Sequence, residues 1–126
     1  MSDRMIVATR RGLKIFERTR DFWEEQSYAL TGVEITALDM HGKSGIVGTT
    51  EGVYISRDAG DSWTLESEGF KTPHVRWARI HPTDPRYLFV GTEPANIYSR
   101  MMDGDAWQRA ERVPALRDQH GWYMPY

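Results

Sequence analysis

Residues 56–63 read Ser-Arg-Asp-Ala-Gly-Asp-Ser-Trp, and the spacing S-x-D-x-G-x-S-W leaves few local structures open. It is turn chemistry. The carboxylate of Asp58 can accept backbone N–H groups across a tight β-hairpin, and Gly60 supplies a positive φ that a side chain disfavours. Trp63 then leaves the turn as a large apolar anchor. Each of these roles is structural, so the stretch specifies a hairpin before it specifies any activity.

The pattern repeats. Slid back by roughly 40 positions, a spacing typical of repeat architectures, segment 48–56 lies without a gap on segment 8–16, with Thr9 on Thr49, Gly12 on Gly52, Ile15 on Ile55 and Trp23 on Trp63. Slid forward, it meets segment 91–99 and then a second hairpin read as having one residue inserted before its Asp. Ser99, Asp103, Gly104 and Trp107 thereby take the places of Ser56, Asp58, Gly60 and Trp63. Upstream, 35–41 parallels 75–81. The first copy is degenerate, with Phe16, Arg18 and Arg20 where Ser, Asp and Gly stand in the second, and it keeps only Trp23.

Apolar or β-branched runs at 75–80, 87–92, 96–100 and 106–110, punctuated by Gly, Pro, Asp and Asn, read as four short strands joined by hairpins. The second repeat supplies the same set near 34–40, 45–50, 53–57 and 62–66. We label the strands of each repeat A to D. The first repeat begins at strand B with 5–9 and lacks an A strand. No segment combines a sustained helical period with start and stop signals, so almost no helix is expected. The expected fold is all-β: about three four-stranded antiparallel meanders forming β-propeller blades within a single repeat domain, 1–126. Blade 1 covers about 5–27, blade 2 about 34–67 and blade 3 about 75–112, with 113–126 a connection and candidate closing strand. Propellers close with four to eight blades. Three do not close alone, so the chain is expected either to complete a ring by oligomerisation, as a six-bladed dimer, or to be a fragment of a longer propeller.

Sixteen basic and 18 acidic residues give a net charge of −2, which offers no polyanion-binding signal and argues against nucleic acid or an anionic membrane as partner. The absence of Cys removes disulfides, thiol chemistry and Cys-ligated zinc. The first residues carry too short an apolar run for a signal peptide or membrane span, and a cytoplasmic location is expected. No cofactor and no metal is expected. Asp58, Asp61, Asp103 and Asp105 lack the further oxygens of a calcium loop, and His41 and His81 share a repeat position, as packing or turn residues do. Trp23, Trp63, Trp77 and Trp107 are read as core anchors.

With its recurring Gly-Thr and S-x-D-x-G-x-x-W, the chain resembles the BNR/Asp-box repeat β-propellers over roughly residues 5–112. That group includes sialidases, sortilin-like receptors, and the photosystem II stability/assembly-factor type with its WD40/YVTN-like bacterial relatives. The spacing from His74 through Glu93 looks most like the last of these. The resemblance implies Asp-box hairpins on one face of the propeller. It implies a ligand face at the other, where the B–C turns and D–A connections lie. There Arg11, Glu51, Glu93, Arg76 and His74 are candidate ligand-binding residues for a carboxylated or hydroxylated small molecule or a protein, with solvated turn charges as the alternative. A sialidase-like glycoside hydrolase would need a Tyr/Glu pair flanked by three arginines. No spacing singles these out, so a catalytic reading requires another subunit or further sequence to complete the site. The expected function is a non-catalytic binding or assembly scaffold.

Overall fold

The computed structural model describes residues 3–71 and 73–121. Their strands form three antiparallel sheets in which sheet order follows chain order, so each is a meander. The first sheet holds β1 (Arg4–Thr9), β2 (Gly12–Thr19) and β3 (Phe22–Ala29). The second holds β4 (Ile35–His41), β5 (Ser44–Thr49), β6 (Gly52–Ser56) and β7 (Thr64–Leu65). The third holds β8 (Val75–Ile80), β9 (Tyr87–Thr92), β10 (Asn96–Met101) and β11 (Gln108–Arg109).

Period-two alternation decides which face meets which neighbour. In the second sheet Ile46, Val53 and Ile55 face the third, where they pack on Val75, Ala78, Ile80, Leu88, Val90 and Tyr98. Val47 and Tyr54, one residue out of phase, face the first sheet and meet Leu13 and Ile6. The second sheet is thus covered on both sides, and β5 is buried along nearly its whole length. The third is covered on one: Tyr98 is buried, while Ile97 and Met101 beside it are exposed. Burying a Val, Leu or Ile contributes about 1.5–3 kcal/mol, so the two inter-sheet seams are the main source of apolar stabilisation.

Ladder registers correct the alignment of the repeats. Ile55 pairs with Thr64 and Ser99 with Gln108, so the C–D turns 56–63 and 100–107 have the same length. The extra residue lies instead in the B–C turn, where Thr49 pairs with Gly52 but Thr92 with Asn96. Arg100 therefore stands in the place of Ser56 and Met102 in that of Asp58. Ser99 and Asp103 do not hold those positions: Ser99 lies in β10, and the Asp103 side chain is 94% exposed. Gly104 and Trp107 keep their alignment with Gly60 and Trp63. A gapless comparison hid this because it lays Ser99 on Ser56, whereas the ladders put Tyr98 in the place of Tyr54 and Ser99 in that of Ile55.

Two of the expected tryptophan anchors are surface residues. The first C–D hairpin is a tight turn, with Arg18 paired to Trp23 and Thr19 to Phe22, so Trp23 stays in β3 and is 44% exposed. Trp77, at 49%, points from β8 away from the second sheet. Trp107 is buried and Trp63 half-buried, each at a seam between sheets.

A further departure is helical. α1 (Arg112–His120) occupies the segment expected to be a connection. Pro114 sits in its first turn, where a missing N–H costs nothing, and Gly121, with φ 64°, caps its C-terminus by donating its N–H to the Arg117 carbonyl. The helix buries no residue and so has no apolar stripe for a periodicity search to find. His120, the start of the candidate closing strand, lies in this helix, and residues 122–126 lie outside the described residues. Among the described residues no helix is long and apolar enough to cross a membrane.

Gly48 and Gly91 occupy one register position, paired with Ala37 and Trp77. A Cβ on Gly48 would overlap the Val75 side chain across the seam, whereas one on Gly91 would rest in ordinary contact with Trp77 at 3.7 Å. Gly48→Ala is expected to lower stability in urea denaturation by about 1–3 kcal/mol through overpacking. Gly91→Ala is expected to stay within about 0.5 kcal/mol of the parent.

Candidate functional site

The turn after β6 is held by its own side chains. Ser56 Oγ accepts the Gly60 N–H at 2.9 Å and donates to Asp58 Oδ1 at 2.8 Å. Asp58 in turn accepts the Ser62 N–H at 2.9 Å and the Ser62 hydroxyl. These bonds, Ser62's first and Ser56's after, hold the Asp58 carboxyl at about 2, below its ordinary value. Ala59 and Gly60 both have positive φ, and Trp63 Nε1 closes the turn on the Gly60 carbonyl at 3.0 Å. The outer side of the turn receives Arg4 of β1, which reaches the Ala59 carbonyl at 3.0 Å and Asp61 at 2.6 Å. Asp58 is committed to the hairpin, and the hairpin to joining the first two sheets.

The corresponding turn after β10 is built differently because Arg100 replaces the serine. Its side chain, 3% exposed, crosses the seam and donates to Glu66 Oε1 at 2.6 Å. Arg57 grips the same carboxylate with both terminal nitrogens, at 2.6 and 3.0 Å, and also donates to the Met102 carbonyl. Thr64 adds a hydroxyl at 2.7 Å, and Trp107 Nε1 donates to the Glu66 carbonyl at 2.7 Å. With two guanidinium partners, Arg57 the stronger, the Glu66 carboxyl is held at about 2 against its burial. Nothing in the sequence marked this cluster.

At the other end of the sheets lie the B–C turns. Thr9 Oγ1 donates to the Gly12 carbonyl and accepts the Arg11 N–H, and Thr49 does the same for Gly52 and Glu51. Gly12 and Gly52 carry the positive φ these two-residue turns require. Arg11 and Glu51 are exposed at their tips. In the longer third turn Thr92 Oγ1 donates to the Pro94 carbonyl, and the Glu93 N–H donates to the His74 carbonyl at 2.9 Å. Arg76 is the extra residue of a bulge in β8, as Thr36 is in β4. Among the described residues Glu93 Oε2 is buried without a hydrogen-bond partner. Of the five candidate ligand residues, the fold brings His74, Arg76 and Glu93 to one corner of the third sheet. Arg11 and Glu51 sit on separate turns, and no hydrogen bond or ion pair among the described residues joins their side chains to that corner.

Among the described residues, Tyr28 and Glu25 form a Tyr/Glu pair of the kind a sialidase-like site would need, and there the carboxylate raises the phenol. It stands on the outermost strand of the first sheet with Lys14 beside it, not a trio of arginines. His81 has a turn role: its Nδ1 accepts the N–H groups of Thr83 and Asp84 at 3.2 and 3.1 Å. Among the described residues no cluster of His, Cys, Asp and Glu is arranged to hold a metal ion. A groove of about 390 Å³ lies between β4 and the third sheet, lined by Asp39, Met40 and His41 on one side and by Trp77, Arg79 and Phe89 on the other.

Three antiparallel meanders packed face to face define a partial β-propeller. Searches of family models and of curated proteins found no match. Among solved structures the chain is similar to one described as YCF48 bound to D1 peptide, with a TM-score of 0.58 and 16% identity. The likeness covers 86% of this chain and 44% of that one, so this chain spans less than half of its length. At that identity the likeness establishes the fold.

Because Glu66 is held near 2, below its ordinary 4.5, its ion pairs contribute fully above pH 4.5 and are lost as the pH falls toward 2. Glu66→Gln is expected to cost about 1–3 kcal/mol at pH 7, since it strands the buried Arg100 guanidinium. The stability difference from the parent should shrink between pH 4.5 and 2 in denaturation curves taken across that range.

Proposed function

We propose that this chain is a non-catalytic propeller module of the BNR/Asp-box kind that binds or assembles proteins, and that two copies close head to tail into a six-bladed ring. The observation that carries this reading is the uncovered outer face of each end sheet. The third sheet presents Trp77, Tyr87, Ile97 and Met101, each more than 40% exposed, and the first presents Met5, Trp23 and Tyr28. Apolar surface of this kind marks a contact site on a protein. Its residues hold the register positions that the second sheet uses for its neighbours. Ile97 corresponds to Val53, which packs on the third sheet, and Lys14 beside Tyr28 corresponds to Tyr54, which packs on the first. A second copy supplies the matching face at each end, and closed two-fold symmetry is the commonest oligomeric solution. A longer chain contributing the remaining blades would cover the same faces. The similar propeller is one bound to a peptide, which also supports a protein-binding role here, and the corner of His74, Arg76 and Glu93 is the candidate contact on the B–C side. A cytoplasmic location belongs to the same proposal.

Light scattering at micromolar concentration is expected to give the mass of a dimer. Ile97→Asp, a change at an exposed position, should give monomers with an unchanged near-ultraviolet circular dichroism spectrum. A parent chain that is monomeric and fully folded would overturn the ring.

A further inference from the structure

The groove between β4 and the third sheet is lined by flat apolar rings and by polar groups that are unevenly bonded. Alternation along β8 puts Trp77 and Arg79 on one face, and the ladder sets Phe89 of β9 directly opposite Arg79. One wall thus carries a guanidinium with an indole two residues along its strand and a phenyl ring across the ladder. Trp77 is 49% exposed, and Arg79 is exposed beside it.

The second sheet uses the same register positions for its own packing. Ala37, Asp39 and Ile46 stand there where Trp77, Arg79 and Phe89 stand in the third. Ala37 and Ile46 pack on the third sheet, and Asp39 Oδ2 accepts the Ile80 N–H at 2.8 Å. Arg79, by contrast, makes no hydrogen bond or ion pair among the described residues.

Donors are in surplus along this wall. His81 Nδ1 accepts the N–H groups of Thr83 and Asp84, so the neutral ring carries its proton on Nε2, and Nε2 meets no acceptor among the described residues. The Arg79 guanidinium adds a fork of further donors. Of the facing acceptors, Asp39 has already given one oxygen to β8. Free donors call for an anion, and the rings of Trp77 and Phe89 call for a flat apolar body next to it. The Asp39 carboxylate on the opposite wall disfavours a second negative charge. A volume of about 390 Å³ is that of a small-molecule site.

We propose that this groove binds a small aromatic monocarboxylate, with the carboxylate on Arg79 and His81 Nε2 and the ring against Trp77 and Phe89. The site lies at the His81 end of β8, and the corner of His74, Arg76 and Glu93 lies at the other. It goes beyond the protein-binding reading and does not rest on it.

The probe is 2-naphthoate, titrated into the full chain by calorimetry, with 2-naphthamide as the neutral isostere. The acid should saturate with a Kd below about 1 mM, and the amide should bind about tenfold more weakly for want of the charged hydrogen bonds. Arg79→Gln should weaken the acid about tenfold and leave the amide unchanged, with a near-ultraviolet circular dichroism spectrum like the parent's. A merely structural Arg79 would not separate the two ligands. Trp77→Ala should weaken both. Amide chemical shifts should move at 77–81 and 89. Failure of the acid to saturate, equal binding of acid and amide, or shifts confined to 74–76 and 93 overturns the proposal. If either variant misfolds, the acid-to-amide ratio and the shift map of the parent still decide it. Light scattering on the same samples reports the ring separately.

Discussion

A four-stranded meander has two faces and can bury neither by itself. The seam between the second and third sheets is where this chain solves that problem most completely, with Ile46, Val53 and Ile55 on one side and Val75, Leu88, Val90 and Tyr98 on the other. Gly48 lets Val75 sit against the backbone of β5, and the bulges at Thr36 and Arg76 bend the inner strands at matching places. The turns, the ion cluster and the exposed ends all follow from that stacking.

At the periphery the seam is polar, and there the two C–D turns divide the labour. The turn around Asp58 satisfies itself, so its outer surface is free to receive Arg4 from the first sheet. The turn after β10 has lost the serine and the aspartate of that arrangement, and Arg100 reaches across to Glu66 instead. A charged side chain that is 3% exposed is tolerable only because a carboxylate and the Met102 carbonyl meet it. The same repeat position thus carries a local bond network in one blade and a seam-crossing ion pair in the next.

The stacking that stabilises the middle sheet leaves the outer ones half finished. An uncovered face and an unpaired strand edge are different features, one apolar and non-directional, the other a row of directed backbone groups.

The residues alone were enough for the strand positions, because alternation and Gly, Asp or Pro punctuation are local, and for the Asp58 turn, whose partners all lie within four residues of it. They were not enough for the register of the third repeat. A one-residue insertion can be placed in either of two turns by letters, and only paired strands decide that it lies between Thr92 and Asn96. Nor could they place the Glu66 cluster, whose partners are 9 and 34 residues away, or separate Trp107 at a seam from Trp23 on an open face. Sequence sets what each residue prefers within its own strand or turn. Which side of a sheet is covered depends on whether another sheet lies there, and only the tertiary structure decided that.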